Sequence, residues 1–440
     1  MRSSSPTSKR KDTQQQQPEE PCLSHTRHQT KKAKLAESAA SSSASSASSA
    51  PPRLYKHALE SIFAHLNLSE LCRASAVCRD WSAATQSMRP IGAHFTITRA
   101  IPKSRLMMRH VSHITSSDIS SVSMLASLCG AIKHSKSLVT LTLKNNGLYA
   151  VCAVTLAEAI KQSTSLTTLN LCYISIGDVG ASAIAEAIKQ SKSLTTVDLS
   201  GNHIGREGAV AMAEAIKQSK LLTTVDLSAN HIGVKGAVAI AEAIKQSAVL
   251  TAVKLNDNYI GLKGVEAISE AIKQNTSLTA VSLSHNSICA EGTVAIAEAL
   301  KQNKCLVTVD LSHNSLNSVD ADVIAEAIKQ STSLAMMDLS CNAIGDAGAS
   351  ALAEAIKQCR SLNTVYLNDN KIDVVGALSL AEAIKQSQVL VYVVLANNAF
   401  GKQGRAAISD AIQQSKSQIT VTLSRNEFGY CWNPVAWKKR

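Results

Sequence analysis

From Ser137 to Lys416 the apolar positions of the chain repeat every 28 residues, with no insertion or deletion, and a further half-unit begins at Ser417. The unit Ser193–Lys220 reads SLTTVDLSGNHIGREGAVAMAEAIKQSK, and its successor differs mostly at small side chains. Within a unit the spacing changes halfway. Leu194, Val197 and Leu199 fall as LxxLxL, and the last pair alternates with period two, which predicts a short strand with one buried face. Asn202, Ile204 and Gly205 then mark a turn. After Gly208, Ala209, Met212, Ala213 and Ile216 recur at i, i+3, i+4 and i+7, the stripe of an amphipathic helix with Glu214, Lys217 and Gln218 outward.

One strand and one helix of 28 residues cannot bury their own apolar faces, so units must stack into a solenoid. Because a strand is narrower than a helix (about 4.8 Å against about 10 Å), a stack with strands inside bends toward its sheet. Asn146, Asn202, Asn230, Asn258, Asn286, Asn314, Asn342, Asn370, Asn398 and Asn426 share one position, interrupted by Ile174. An inward amide there can bond the backbone groups that a tight strand-to-helix turn leaves unpaired. The repeated LxxLxLxxNxIGxxGAxAIAEAIKQ resembles the leucine-rich repeats of the ribonuclease-inhibitor type. That resemblance implies an α/β horseshoe with a parallel inner sheet and outer helices, used as a binding surface.

Charge separates the ends of the chain. Residues 1–50 hold 8 basic and 4 acidic side chains, 51–136 hold 11 and 4, and 137–440 hold 26 and 25, within a net charge of +12. The nearly neutral array lacks the basic stripe that a nucleic-acid groove needs. Residues 1–50 carry Gln14–Gln17 and a Ser/Ala tract, the composition of a disordered tail. The clusters Lys9-Arg10-Lys11 and Lys31-Lys32-Ala33-Lys34 fit either a nuclear import address or a solvated tail. Eleven scattered cysteines without a CxxC pair point to free thiols in a reducing compartment, and no apolar run is long enough for a membrane helix. The expected location is cytoplasmic, nuclear or both.

From Leu54 the chain reads LYKHALESIFAHLNLSELCRASAVCRDWSAAT. Leu59, Ile62, Phe63 and Leu66 have helical spacing, and Ser69 can cap a second run, Leu71–Val77. The segment resembles an F-box, whose pattern is LPxELLxxIFxxLxxxDLxxxxxVCxxW. Leu54, Leu59, Ile62, Phe63, Leu66, Leu71, Val77, Cys78 and Trp81 match it; Tyr55, His57 and Ala58 depart from it. The resemblance implies that these nine side chains dock the adaptor of a cullin–RING (SCF-type) ubiquitin ligase. A helical cap on the array is the alternative reading of the same residues. Residues 51–90 are read as this module, and 91–136 as a linker and degenerate first repeat built on Val111, Ile114, Met124, Leu125, Leu128 and Ile132, with Asp118 near the asparagine position. At the far end, 417–440 are read as a last strand and an aromatic cap with Trp432, Pro434 and Trp437.

No catalytic constellation emerges: GxxxxGK[ST], HExxH and GxSxG are all absent. His203/His231 and His285/His313 lie one period apart but lack a third metal ligand, so neither metal nor cofactor is expected. In this repeat family the inner face usually binds. Its outward position within LxL reads Thr142, Asn170, Asp198, Asp226, Lys254, Ser282, Asp310, Asp338, Tyr366, Val394 and Thr422. Asp198 beside Asp226, and Asp310 beside Asp338, set like charges next to one another. The residues expected to hold a protein target are Asp198, Asp226, Lys254, Tyr259, Asp310, Met336, Asp338, Tyr366 and Tyr392, with Phe400 near them, because large, varied side chains carry most interface energy. The functional reading is a target-holding ligase subunit without an active site. The alternative is a repeat scaffold or innate-sensor-like protein with no ligase link. A GTPase activator is a weaker third reading, since the acidic tail usual in that family is replaced by Lys438-Lys439-Arg440.

Overall fold

The computed structural model describes residues 93–97, 111–116, 122–144, 149–426 and 436–438, all within one compact unit, Glu60–Arg440. The F-box-like stretch, the basic clusters, Asp118 and Asn146 lie outside the described residues.

Strands and helices alternate as the 28-residue pattern requires. Each repeat strand from Thr168–Asn170 to Thr420–Thr422 has three residues, and each is followed, after a turn, by a helix of 13 or 14 residues up to Gly401–Gln414. Among the described residues the strands form one 14-stranded sheet in sequence order. The repeat strands pair in parallel, one period apart: Thr196 with Thr224, Val197 with Val225, Asp198 with Asp226. The result is a leucine-rich-repeat horseshoe, its helices packed against the outer side of the sheet.

Burial follows the predicted period. Leu194, Val197, Leu199, Ile204, Ala209, Met212, Ala213 and Ile216 are all in the core, and so is Ala215. Alanines let successive helices approach closely, and the glycine in the first turn completes the fit. A methyl on Gly236 would stand 2.4 Å from Ile232 and 2.7 Å from Ala209 of the preceding repeat. In the helix Ser318–Gln330, buried Asp320 replaces that glycine, and it forms a capping box with Asn317. On the outer surface, Glu and Lys three residues apart pair along the helices, for example Glu326 with Lys329 at 3.2 Å.

The asparagines stitch repeat to repeat. Asn202 Nδ2 donates to Leu171 O of the previous repeat at 2.7 Å and to Leu199 O of its own at 2.9 Å. Asn230 Oδ1 in turn accepts from the backbone N–H groups of Asn202 and Ile204, both at 2.9 Å. At Ile174 the ladder loses its amide; the side chain is buried among apolar neighbours, while its N–H still reaches Asn202 Oδ1. The ladder is also thinner at two places that the sequence does not distinguish. The Oδ1 atoms of Asn258 and Asn370 are buried without a partner among the described residues. In the turns before them, the N–H groups of His231 and Ala343 donate to Ile204 O and Leu316 O, each at 2.7 Å.

The two ends add elements to the expected scheme. Ala93–Ile97 pairs in parallel with Val111–Ser116, so the sheet starts one strand earlier than the degenerate repeat predicts. Val122–His134 supplies that repeat's helix, with Met124, Leu125, Leu128 and Ile132 buried. At the other end Ala436–Lys438 turns back and pairs antiparallel with Thr420–Thr422, placing Trp437 opposite Val421. An antiparallel strand of this kind occupies an edge whose N–H and C=O groups would otherwise be exposed.

Candidate functional site: the inner face of the sheet

In every three-residue repeat strand the middle side chain points into the core and the two flanking ones point inward to the concave face. Register then lines up two columns across the sheet. One runs Asn170, Asp198, Asp226, Lys254, Ser282, Asp310, Asp338, Tyr366, Val394 and Thr422. The other carries Thr at most positions but Ala252, Ala280, Met336 and Tyr392 at four.

The like charges foreseen along the first column are each given donors. Asp198 accepts from Asn170 Nδ2 at 2.6 Å and from both the N–H and the hydroxyl of Ser200. Asp226 Oδ2 lies 3.3 Å from Lys254 Nζ. Asp310 accepts from the Ser282 hydroxyl through Oδ2 and from Ser312 through Oδ1. Asp338 accepts the N–H and hydroxyl of Ser340, both on Oδ1. Burial pushes the Asp338 carboxyl above the usual aspartate range; the Ser340 hydrogen bonds oppose this, and the charge of Asp310 adds to it. Burial also raises the Tyr366 phenol.

The nine side chains assigned to target binding divide by position. Asp198, Asp226, Lys254, Asp310, Met336, Asp338, Tyr366 and Tyr392 all stand on the sheet's inner face, with Tyr366 and Tyr392 edge to face at 5.9 Å. Tyr259 is 67% exposed and lies on the following turn, stacked on His231, which stacks on His203. His285 and His313 stack at 4.1 Å in a parallel line. Tyr173, His203, Tyr259, His285 and His313 share left-handed backbone, φ 52–57°, and the rim carries two separate ring stacks, His203–His231–Tyr259 and His285–His313. Among the described residues no three metal-ligating side chains converge. Phe400 is a correction. It is fully buried at the position that isoleucine holds in other repeats, such as Ile204 and Ile232, and so belongs to the core. The asparagines from Asn202 to Asn426 are likewise buried and structural.

The sequence reading also passed over Ala252 and Ala280. Their signal was present, as two consecutive losses of threonine in an otherwise threonine-rich column, but small residues draw no attention when large ones are sought. Together with Lys254, Asp310, Met336, Asp338 and Tyr366 they line a concavity on the inner face. The described cysteines, from Cys129 to Cys359, form no disulfide. No helix among the described residues is long and apolar enough to cross a membrane.

Two family models match parts of the chain. An F-box-like family matches residues 56–88, which leaves Leu54 just outside the match. A leucine-rich-repeat family matches 162–185, 190–213, 218–241, 246–269, 274–297, 330–353 and 358–381. It passes over the repeat in which Asn317 and Asp320 stand in place of the usual glycines. None of the curated proteins matches the chain. Among solved structures the chain is similar to leiomodin-1 actin-binding site 2, with 24% identity and a TM-score of 0.31, over 33% of this chain and 86% of that one. It is also similar to the Caenorhabditis elegans tropomodulin C-terminal domain, with 18% identity and a TM-score of 0.31, over 34% and 92%. With an F-box-like segment followed by an array of leucine-rich repeats, the chain has the make-up of an F-box/leucine-rich-repeat protein.

Proposed function

We propose that this protein is the target-recognition subunit of a cullin–RING ubiquitin ligase of the SCF type. The observation that carries the reading is the union, in one chain, of an F-box-like segment at 56–88 with a repeat array whose inner face is open and chemically varied. Both parts are protein-interaction modules. In this reading Leu54, Leu59, Ile62, Phe63, Leu66, Leu71, Val77, Cys78 and Trp81 dock the adaptor, and the horseshoe holds the target. The subunit contributes position: it holds a substrate lysine near a charged ubiquitin carrier and raises the effective concentration of the two reactants. Unbridged thiols fit a reducing cytoplasmic or nuclear setting.

The test is capture of the ligase adaptor by the full chain. Wild type retains it, and a Phe63→Ala/Trp81→Ala double variant loses it while the far-ultraviolet dichroism of the array stays unchanged. Wild type that captures no adaptor overturns the reading and leaves a repeat scaffold.

A further inference from the structure

Across the middle of the inner face the column that opens each strand drops to alanine twice in succession, at Ala252 and Ala280, between Thr224 and Thr308. The missing side chains leave a dent with the methyls of both alanines and the side chain of Met336 exposed to it. Strand order puts Lys254 at one end of the dent and Tyr366 at the other, with Asp310 and Asp338 between them. The dent is therefore apolar along one column, apart from Thr308, and acidic at Asp310 and Asp338 along the next.

Its charges are unevenly committed. Lys254 leans away, to Asp226 on the strand beyond, at 3.3 Å. Asp310 is held by Ser282 and Ser312. Asp338 spends its hydrogen bonds from Ser340 on Oδ1, and its Oδ2 accepts none among the described residues. Tyr366 is fixed edge to face on Tyr392, so one wall of the acidic end is a held aromatic ring.

We propose that this dent receives an arginine side chain from the target protein. The inference rests on the reading of the horseshoe as the target-holding part, and names the chemistry it selects. An arginine stem covers the alanines and Met336, and its guanidinium reaches two carboxylates on adjacent strands, about 4.8 Å apart. The planar fork of five donors suits that spacing, and its flat face can stack on Tyr366; an ammonium, a compact charge with three donors, has no flat face and matches the two carboxylates less closely. Lys254, about two strand spacings from Asp310 and already paired, opposes the entering cation only weakly.

Fluorescence anisotropy tests this with the full chain and a labelled alternating alanine–arginine decapeptide, against the same peptide carrying lysine or citrulline. The arginine peptide binds at least about threefold tighter than the lysine one, and the citrulline peptide is lost. Asp310→Asn/Asp338→Asn weakens binding about tenfold or more. Ala280→Leu, which keeps every charge and fills the dent, does the same, whereas Glu326→Gln on the outer helices leaves binding unchanged. Equal binding of the lysine peptide, a Glu326→Gln loss as large as the double variant's, or tight binding by Ala280→Leu each overturns the proposal. Adaptor capture is run on the same proteins. Capture without peptide binding defeats this inference alone; peptide binding without capture defeats the ligase reading alone.

Discussion

The asparagine ladder allows a comparison between two positions that the sequence treats as identical. Asn314 is 2% exposed and its side chain makes five hydrogen bonds. It donates to Leu283 O, Leu311 O and Ser312 O at 3.0–3.1 Å, and accepts from Asn286 and Ile288 N–H at 2.9 and 3.2 Å. Asn258 is fully buried but only donates, to Leu227 O at 2.8 Å and Asn256 O at 2.9 Å. Alanine at either site removes amide donors and leaves a similar small void. Only Asn314→Ala also strands two buried N–H groups. Each such group costs about 1–3 kcal/mol, so Asn314→Ala is expected to destabilise by about 2–6 kcal/mol more than Asn258→Ala. Urea unfolding of the two full-length variants measures the total. Native-state hydrogen exchange at the Asn286 and Ile288 amides reads the local effect even where the array does not unfold as one unit. The two variants agreeing within about 0.5 kcal/mol would refute the argument, and the ladder would then owe its stability to packing.

Two further outcomes follow from the same coordinates. Gly236→Ala pushes a methyl into Ile232 and Ala209 and should cost about 1–3 kcal/mol, while Gly130→Ala, in a helix with open space around it, should add about 0.5–1 kcal/mol; paired thermal melts check both, and a gain at Gly236 would contradict the tight helix contact. Because burial holds the Asp338 carboxyl above its unfolded value, its ionised form penalises the folded state at neutral pH, and that penalty fades as pH falls through the raised pKa toward the unfolded value near 4. Asp338→Asn should therefore stabilise the protein at pH 7 and lose that advantage at about pH 3; denaturation midpoints at the two pH values test this, and an unchanged or reduced midpoint at pH 7 would count against it.

The repeat made most of the fold legible before any coordinates. A constant period fixes register, and register fixes which side chains meet, so Asp198 beside Asp226 and Asp310 beside Asp338 could be read directly. What the letters hid was the state of each turn. Asn258 and Asn314 are the same residue in the same phase, yet Asn314 Oδ1 accepts two N–H groups and Asn258 Oδ1 accepts none among the described residues. Phe400 was misplaced because its size outweighed its phase, which is that of a buried isoleucine. The dent went unnoticed for the opposite reason: it is made by atoms that are missing. The first and last strands lack the repeat's asparagine signature, and only pairing reveals them.

The joints between neighbouring turns follow one scheme, with local departures at Ile174, Asn258 and Asn370, so whole turns are interchangeable units. Excising Leu221–Ala248 would seat Thr196 against Ala252 and set Asp198, in place of Asp226, beside Lys254, with every seam remade from familiar pieces. Such a coil can gain or shed whole turns through misaligned copying and still stack turn on turn. What changes is the distance between the dent and the end on that side, so the protein can be retuned to a longer or shorter quarry by re-pairing turns it already has.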